Sequence, residues 1–80
     1  RESGYGRYDV MLIPRNVAEN AMILEFKVFD VEEEYSLQDT VKSALRQIEE
    51  KQYDIELLEA GISKNRIHHY GFAKVLIDGQ

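Results

Sequence analysis

The chain contains no cysteine, which removes disulfide scaffolds and cysteine–zinc sites together and fits a reducing compartment. Long hydrophobic runs are also missing. The longest, Val10 to Ile13 and Ala21 to Leu24, reach four residues, against roughly 20 for a membrane-spanning helix. No basic segment followed by an apolar stretch opens the sequence, so no secretory signal peptide is expected and the expected location is the cytoplasm. Positive charge is in short supply. Ten Lys and Arg stand against fifteen Asp and Glu, a net charge of −5. Phosphate contact over a whole surface needs concentrated Lys and Arg, so any action on DNA or RNA must come from a localised site or from protein outside this stretch.

What is present is the composition of a folded domain. Apolar residues make up 44% of the 80 and charged residues 31%, with a single proline, which is neither a disordered nor a collagen-like profile. The length allows one small domain, 1–80. A chain of this size buries only about 60–65% of its unfolded surface, which makes it marginal as an independent fold.

Residues 1–6 carry two glycines and a serine and read as a loop. Tyr8 to Ile13 is β-branched, aromatic and apolar, and stops at Pro14, the signature of a strand. Ala21 to Phe29 is a second apolar run broken only by Glu25 and Lys27, and the pair suggests an antiparallel hairpin. The acidic run Asp30 to Glu34 reads as a solvated linker. Ser36 followed by Asp39 is a capping-box variant, and Leu37, Val41, Ala44, Leu45 and Ile48 then form one stripe of an amphipathic helix to about Gln52. Tyr53 to Ala60 adds one or two helical turns stopped by Gly61. Arg66 to Phe72 and Lys74 to Ile77 read as two short strands, or as one, since Phe72-Ala73-Lys74 holds no good turn residue. The order predicts an α+β or mixed α/β layer arrangement.

Charge inside the apolar strands is the informative feature. Glu25 and Lys27 lie at i and i+2, so a strand puts both on one face, leaving Leu24, Phe26 and Val28 on the other to pack against the helix. Asp9 is a third such charge, and hairpin pairing can bring it close to Glu25. Two close carboxylates repel, which favours a divalent cation between them, and oxygen-only ligation suits Mg²⁺ or Mn²⁺. A metal-bound water with a lowered pKa can attack phosphorus while a nearby lysine orients it or offsets charge. Asp9, Glu25 and Lys27 thus make a phosphodiester-hydrolysis site; the plain alternative is a surface ion pair on a half-exposed strand.

Gly4-Tyr5-Gly6-Arg7-Tyr8-Asp9, then Glu25-Phe26-Lys27, Ala44-Leu45-Arg46-Gln47-Ile48, Tyr53 and Tyr70-Gly71-Phe72-Ala73 together resemble the PD-(D/E)XK nuclease superfamily. Within it they look like the nuclease-like domain at the C-terminus of proteins that begin with an AAA-ATPase-like domain. The resemblance implies a restriction-endonuclease-like core: a mixed central sheet of about four strands with one main helix packed on it, the core's N-terminal helix and strand lying outside this sequence. It implies metal ligation by Asp9, Glu25 and the carbonyl of Phe26, a catalytic role for Lys27, and a place for Gln47 near the active site. Lys51, one helical turn beyond Gln47, is placed to reach a substrate phosphate; Arg7, beside the glycines, is either a phosphate contact or a solvated loop arginine. Tyr53 resembles the tyrosine of a Gln-x-x-x-Tyr motif at longer spacing, as a core or a site-edge residue. The implied activity is Mg²⁺- or Mn²⁺-dependent hydrolysis of phosphodiester bonds in DNA, next to an ATPase domain and away from membranes. A non-cutting module that binds nucleic acid or a partner, and a structural domain docked on an ATPase, are the alternatives. His68 and His69 are adjacent in a strand and point to opposite faces, which suits structural roles better than shared metal ligation. Glu2 is an accessory acid or a terminal charge.

Overall fold

The computed structural model describes residues 6–76. Two strands, β1 (Arg7–Leu12) and β2 (Ala21–Val28), form the expected antiparallel hairpin. Its loop is closed by Asn16, whose carbonyl accepts from the Glu19 N–H (2.9 Å) and whose side chain accepts from the Ala18 N–H (2.9 Å). Helix α1 (Leu37–Lys51) and the short helix α2 (Tyr53–Glu59) then cross to β3 (Ile67–Lys74), which pairs parallel to β2. The described sheet is mixed, in the order β1-β2-β3, with β2 at its centre.

Both helix signals hold. The Ser36 side chain accepts from the Asp39 N–H and the Asp39 carboxylate returns to the Ser36 N–H, a complete capping box. At the other end the Gly61 N–H bonds the Leu58 carbonyl (3.0 Å) and the Ile62 N–H the Leu57 carbonyl (3.1 Å), a Schellman ending. Gly61 has φ +99°, a conformation that costs glycine nothing, and Leu57 and Ile62 then meet in the core. Between the helices, Gln52 adopts the left-handed conformation (φ 55°) and breaks one helix from the next.

Three expectations are corrected. The C-terminal segments form one strand, β3, the single-strand alternative, so the described sheet has three strands where about four were expected; Val75 and Leu76 follow it outside the sheet, and Ile77 lies outside the described residues. Continuous pairing with β2 from Ile67 to Lys74 leaves no place for a turn at Ala73. The acidic run is a structured turn: Val31, Glu32 and Glu33 are exposed as expected, but Glu34 turns inward. The Glu34 N–H bonds the Asp30 carbonyl (2.8 Å), and the Glu34 side chain folds back to accept from the Asp30 N–H (2.9 Å).

The third correction decides the site. Helix α1 covers the face of β2 that bears Glu25 and Lys27, not the face of Leu24, Phe26 and Val28. Ala21, Ile23, Glu25 and Lys27 are all buried, the last 8% exposed. That face is divided along its length. Its apolar end packs Ala21 and Ile23 with Ile48, Leu57 and Ile62, and its polar end holds the charges. Within α1, Thr40, Ala44 and Ile48 are buried while Leu37 lies outward, 48% exposed. On the opposite face Tyr8, Phe26 and Phe72 stack across the three strands, with ring centroids 4.7 and 4.8 Å apart.

Gly71, the register partner of Glu25, marks where α1 comes closest to the sheet. A Cβ there would sit 2.9 Å from the Val41 carbonyl oxygen, 3.1 Å from Leu45 Cγ and 3.2 Å from Ala44 Cβ. Gly71→Ala therefore pushes helix from sheet. Denaturant melts should show a loss of about 1–3 kcal/mol, the usual cost of overpacking.

Candidate active site

The hairpin register sets Asp9 directly opposite Glu25 and Arg7 directly opposite Lys27. Directly opposed residues share a face with Cβ atoms about 4.5–5.5 Å apart, so the register alone brings the two acids together. Helix α1 covers this face, and Lys51 of α1 and Tyr53 of α2 reach Asp9.

Glu25 has no solvent exposure, and neither carboxylate oxygen has a hydrogen-bond partner. Lys51 Nζ lies 3.8 Å from its Oε1, an electrostatic approach too long for a hydrogen bond. Burial raises the Glu25 pKa above the ordinary carboxylate value, and the charge of Asp9 adds to this. The Lys51 ammonium opposes both. Asp9 is held from two sides: its Oδ2 accepts from Lys51 Nζ at 2.7 Å and from the Tyr53 hydroxyl at 2.5 Å. Burial acts to lower the Lys51 pKa, but the hydrogen bond to Asp9 and the charges of Glu25 and Asp9 outweigh it, and the net shift is upward. Lys51 is therefore a firmly charged ammonium set between two carboxylates.

Lys27 shares the face of Glu25, yet its ammonium donates to Glu34 Oε2 at 2.8 Å. The other Glu34 oxygen accepts from Thr40 Oγ1 and from the Asp30 N–H, both at 2.9 Å. Burial acts to raise the Glu34 pKa, but these three donors outweigh it and the net shift is downward. The surface-pair alternative for Glu25 and Lys27 is thus overturned: both are buried, and each faces a different partner. Arg7 donates from Nη1 to Gln47 Oε1 (2.7 Å) and from Nη2 to Ser43 Oγ (3.2 Å). Two like charges opposite one another, Arg7 and Lys27, are thereby each given separate acceptors.

Asp9, Lys51 and Tyr53 line a cleft of about 450 Å³, whereas Arg7, Lys27 and Glu34 line another of about 630 Å³. The structure brings Asp9, Glu25 and Lys51 together and joins Gln47 to Arg7, while the ammonium of Lys27 is turned toward the second cleft. Phe26 sends its ring to the far face of the sheet, stacked between Tyr8 and Phe72. His69 pairs with Asp54 through Nε2 at 2.7 Å. Glu2 lies outside the described residues.

Among the described residues no group of three or more His, Cys, Asp or Glu side chains converges as a metal site. The two-carboxylate donor set still fits a hard divalent cation. Glu25 presents two buried oxygens without hydrogen-bond donors, Asp9 faces it, and a positive charge already stands between them.

Four contacts were not anticipated from the sequence: Lys51 with the acids, Tyr53 with Asp9, Ser43 with Arg7, and the Lys27–Glu34–Thr40 chain. A signal for most of them exists. Once Ser36 fixes the phase of α1, Thr40, Ser43, Gln47 and Lys51 recur at three- and four-residue spacing beside the apolar stripe.

The family model of the PD-(D/E)XK nuclease superfamily matches residues 1–75. No curated protein and no solved structure matches the chain.

Glu34 gives a pH test. Its folded pKa is lowered, so its contribution is fully present above the unfolded value near 4.5 and is lost as pH falls through the folded value. Glu34→Ala should cost about 1–3 kcal/mol at neutral pH, because it leaves the buried Lys27 ammonium without its acceptor. The gap to the parent protein should narrow in melts taken progressively below that pH.

Proposed function

The chain belongs to the PD-(D/E)XK nuclease superfamily, and from that membership we propose that it hydrolyses phosphodiester bonds in DNA with a bound Mg²⁺ or Mn²⁺. The observation that carries this reading is the buried pair Asp9 and Glu25, opposed in register, with two Glu25 oxygens awaiting a ligand. Nucleases of this superfamily generally use divalent metal ions. Asp9, Glu25 and the carbonyl of Phe26 would hold the ion. The chemistry it supplies is a water acidified for attack on phosphorus and a polarised phosphoryl oxygen.

The remaining work falls to side chains of the chain itself. Lys27 orients the attacking water and offsets charge as the phosphorane develops, once its ammonium leaves Glu34 for the reacting centre. Gln47 fixes the Arg7 guanidinium, whose remaining N–H groups are suited to a phosphate oxygen. Lys51 supplies a second cation for the nucleic-acid backbone. No described helix is long and apolar enough to cross a membrane. We place the domain in the cytoplasm, beside an AAA-ATPase-like domain of the same polypeptide.

One observation favours a second reading, a nuclease-like module that binds nucleic acid or a partner without cutting it: Lys27 is engaged by Glu34 rather than facing the two acids. Incubation with DNA in Mg²⁺ or Mn²⁺ separates the two. Hydrolysis should appear only with metal and fall on the order of 10²-fold or more in Asp9→Asn and in Lys27→Met, with circular dichroism unchanged. Equal cleavage by Lys27→Met removes the mechanism, and metal-independent DNA binding without cleavage selects the second reading.

A further inference from the structure

The point between Asp9 and Glu25 is already occupied by a cation that belongs to the chain. Lys51 Nζ stands 2.7 Å from Asp9 Oδ2 and 3.8 Å from Glu25 Oε1. Lys51 is the last residue of α1, so the negative end of the helix dipole adds to the carboxylates in holding it there. A hard divalent ion would bind the same oxygens at roughly 2.0–2.6 Å, closer than the ammonium now lies. Two cations on one pair of acids repel at that range, and the burial of Glu25 leaves little water to screen them.

The ammonium also has somewhere to go. Lys51 lines the open cleft beside Asp9, and its four-carbon stem can carry the charge into that cleft without moving α1. The Tyr53 hydroxyl bonds the same Asp9 oxygen independently of Lys51, so the acid stays held as the ammonium departs. Resting on the metal-dependent reading above, we propose that Lys51 is a tethered competitor of the divalent cation: it holds the Asp9–Glu25 pair together in the metal-free protein, is expelled when the ion binds, and then meets a phosphate group of the substrate in the cleft. The side chain thus couples two events, since an ammonium taken up by phosphate no longer opposes the metal. By linkage, metal and phosphodiester binding strengthen one another.

Calorimetric titration with Mn²⁺ alone, without nucleic acid, tests this on the intact protein. Lys51→Gln removes the competitor and should bind Mn²⁺ about tenfold or more tightly than the parent. Lys42→Gln makes the same change in net charge on an exposed part of α1 and should stay within about twofold. Equal or weaker binding by Lys51→Gln overturns the proposal alone. Absence of binding to any of the three proteins overturns it together with the metal-dependent reading. A measurement on the parent protein does not depend on the folding of a variant. The hydrogen-bonded Lys51 ammonium should give an exchange-protected ¹⁵Nζ signal that vanishes as Mg²⁺ saturates the site, and its persistence at saturation overturns the proposal.

Discussion

Asp9 and Glu25 face each other because β1 and β2 pair in one register, and a slip of β1 by a single residue would send Asp9 to the aromatic side of the sheet, away from Glu25. The rest of the polar half answers to that placement. Two buried carboxylates side by side are costly unless counter-charge reaches them, and it comes from the far end of α1 through Lys51, with Tyr53 of α2 adding a hydroxyl. The helix must therefore lie on the charged face, and Gly71 is the position that lets its backbone come near enough.

Packing on that face is a compromise between two kinds of contact. Ile23, Ile48, Leu57 and Ile62 exclude water at one end, and two separate hydrogen-bonded groups, Arg7 with Gln47 and Ser43 and Glu34 with Lys27 and Thr40, fill the other. Among the described residues, the buried side-chain polar atoms without a hydrogen-bond partner are the two carboxylate oxygens of Glu25. An unsatisfied buried acid is expensive for folding, and its retention beside Asp9 is the feature that sets this domain apart from an ordinary small α+β fold.

Much of this was legible in the residues. The alternation of Ala21 to Val28, the Ser36–Asp39 box and the Gly61 stop define the hairpin and both helices, and the i, i+2 placement of Glu25 and Lys27 marks the site. Helix α1 covers the side opposite to the one that the apolar alternation of β2 suggests. Apolar alternation points Leu24, Phe26 and Val28 toward a core, but the decisive pattern is the polar stripe Thr40, Ser43, Gln47 and Lys51, which matches the charges of β1 and β2 and not the aromatic face. The partner of Lys27 was illegible for a different reason. Glu34 reaches it only because the Asp30–Glu34 turn folds back on itself, a backbone path that a run of acids does not announce.

The left-handed conformation of Gln52 has a geometric consequence for the Gln47–Tyr53 spacing. In an unbroken helix, positions 51 and 53 would be about 200° apart around the axis, since each residue turns the chain by about 100°, and Lys51 and Tyr53 could not share a target. By resetting the angular phase between α1 and α2, Gln52 aims both side chains at one oxygen of Asp9. The longer interval is thus no mere insertion: it swaps a one-turn repeat for an elbow, and an ammonium and a phenol from consecutive helices converge where a straight rod would deliver one of them.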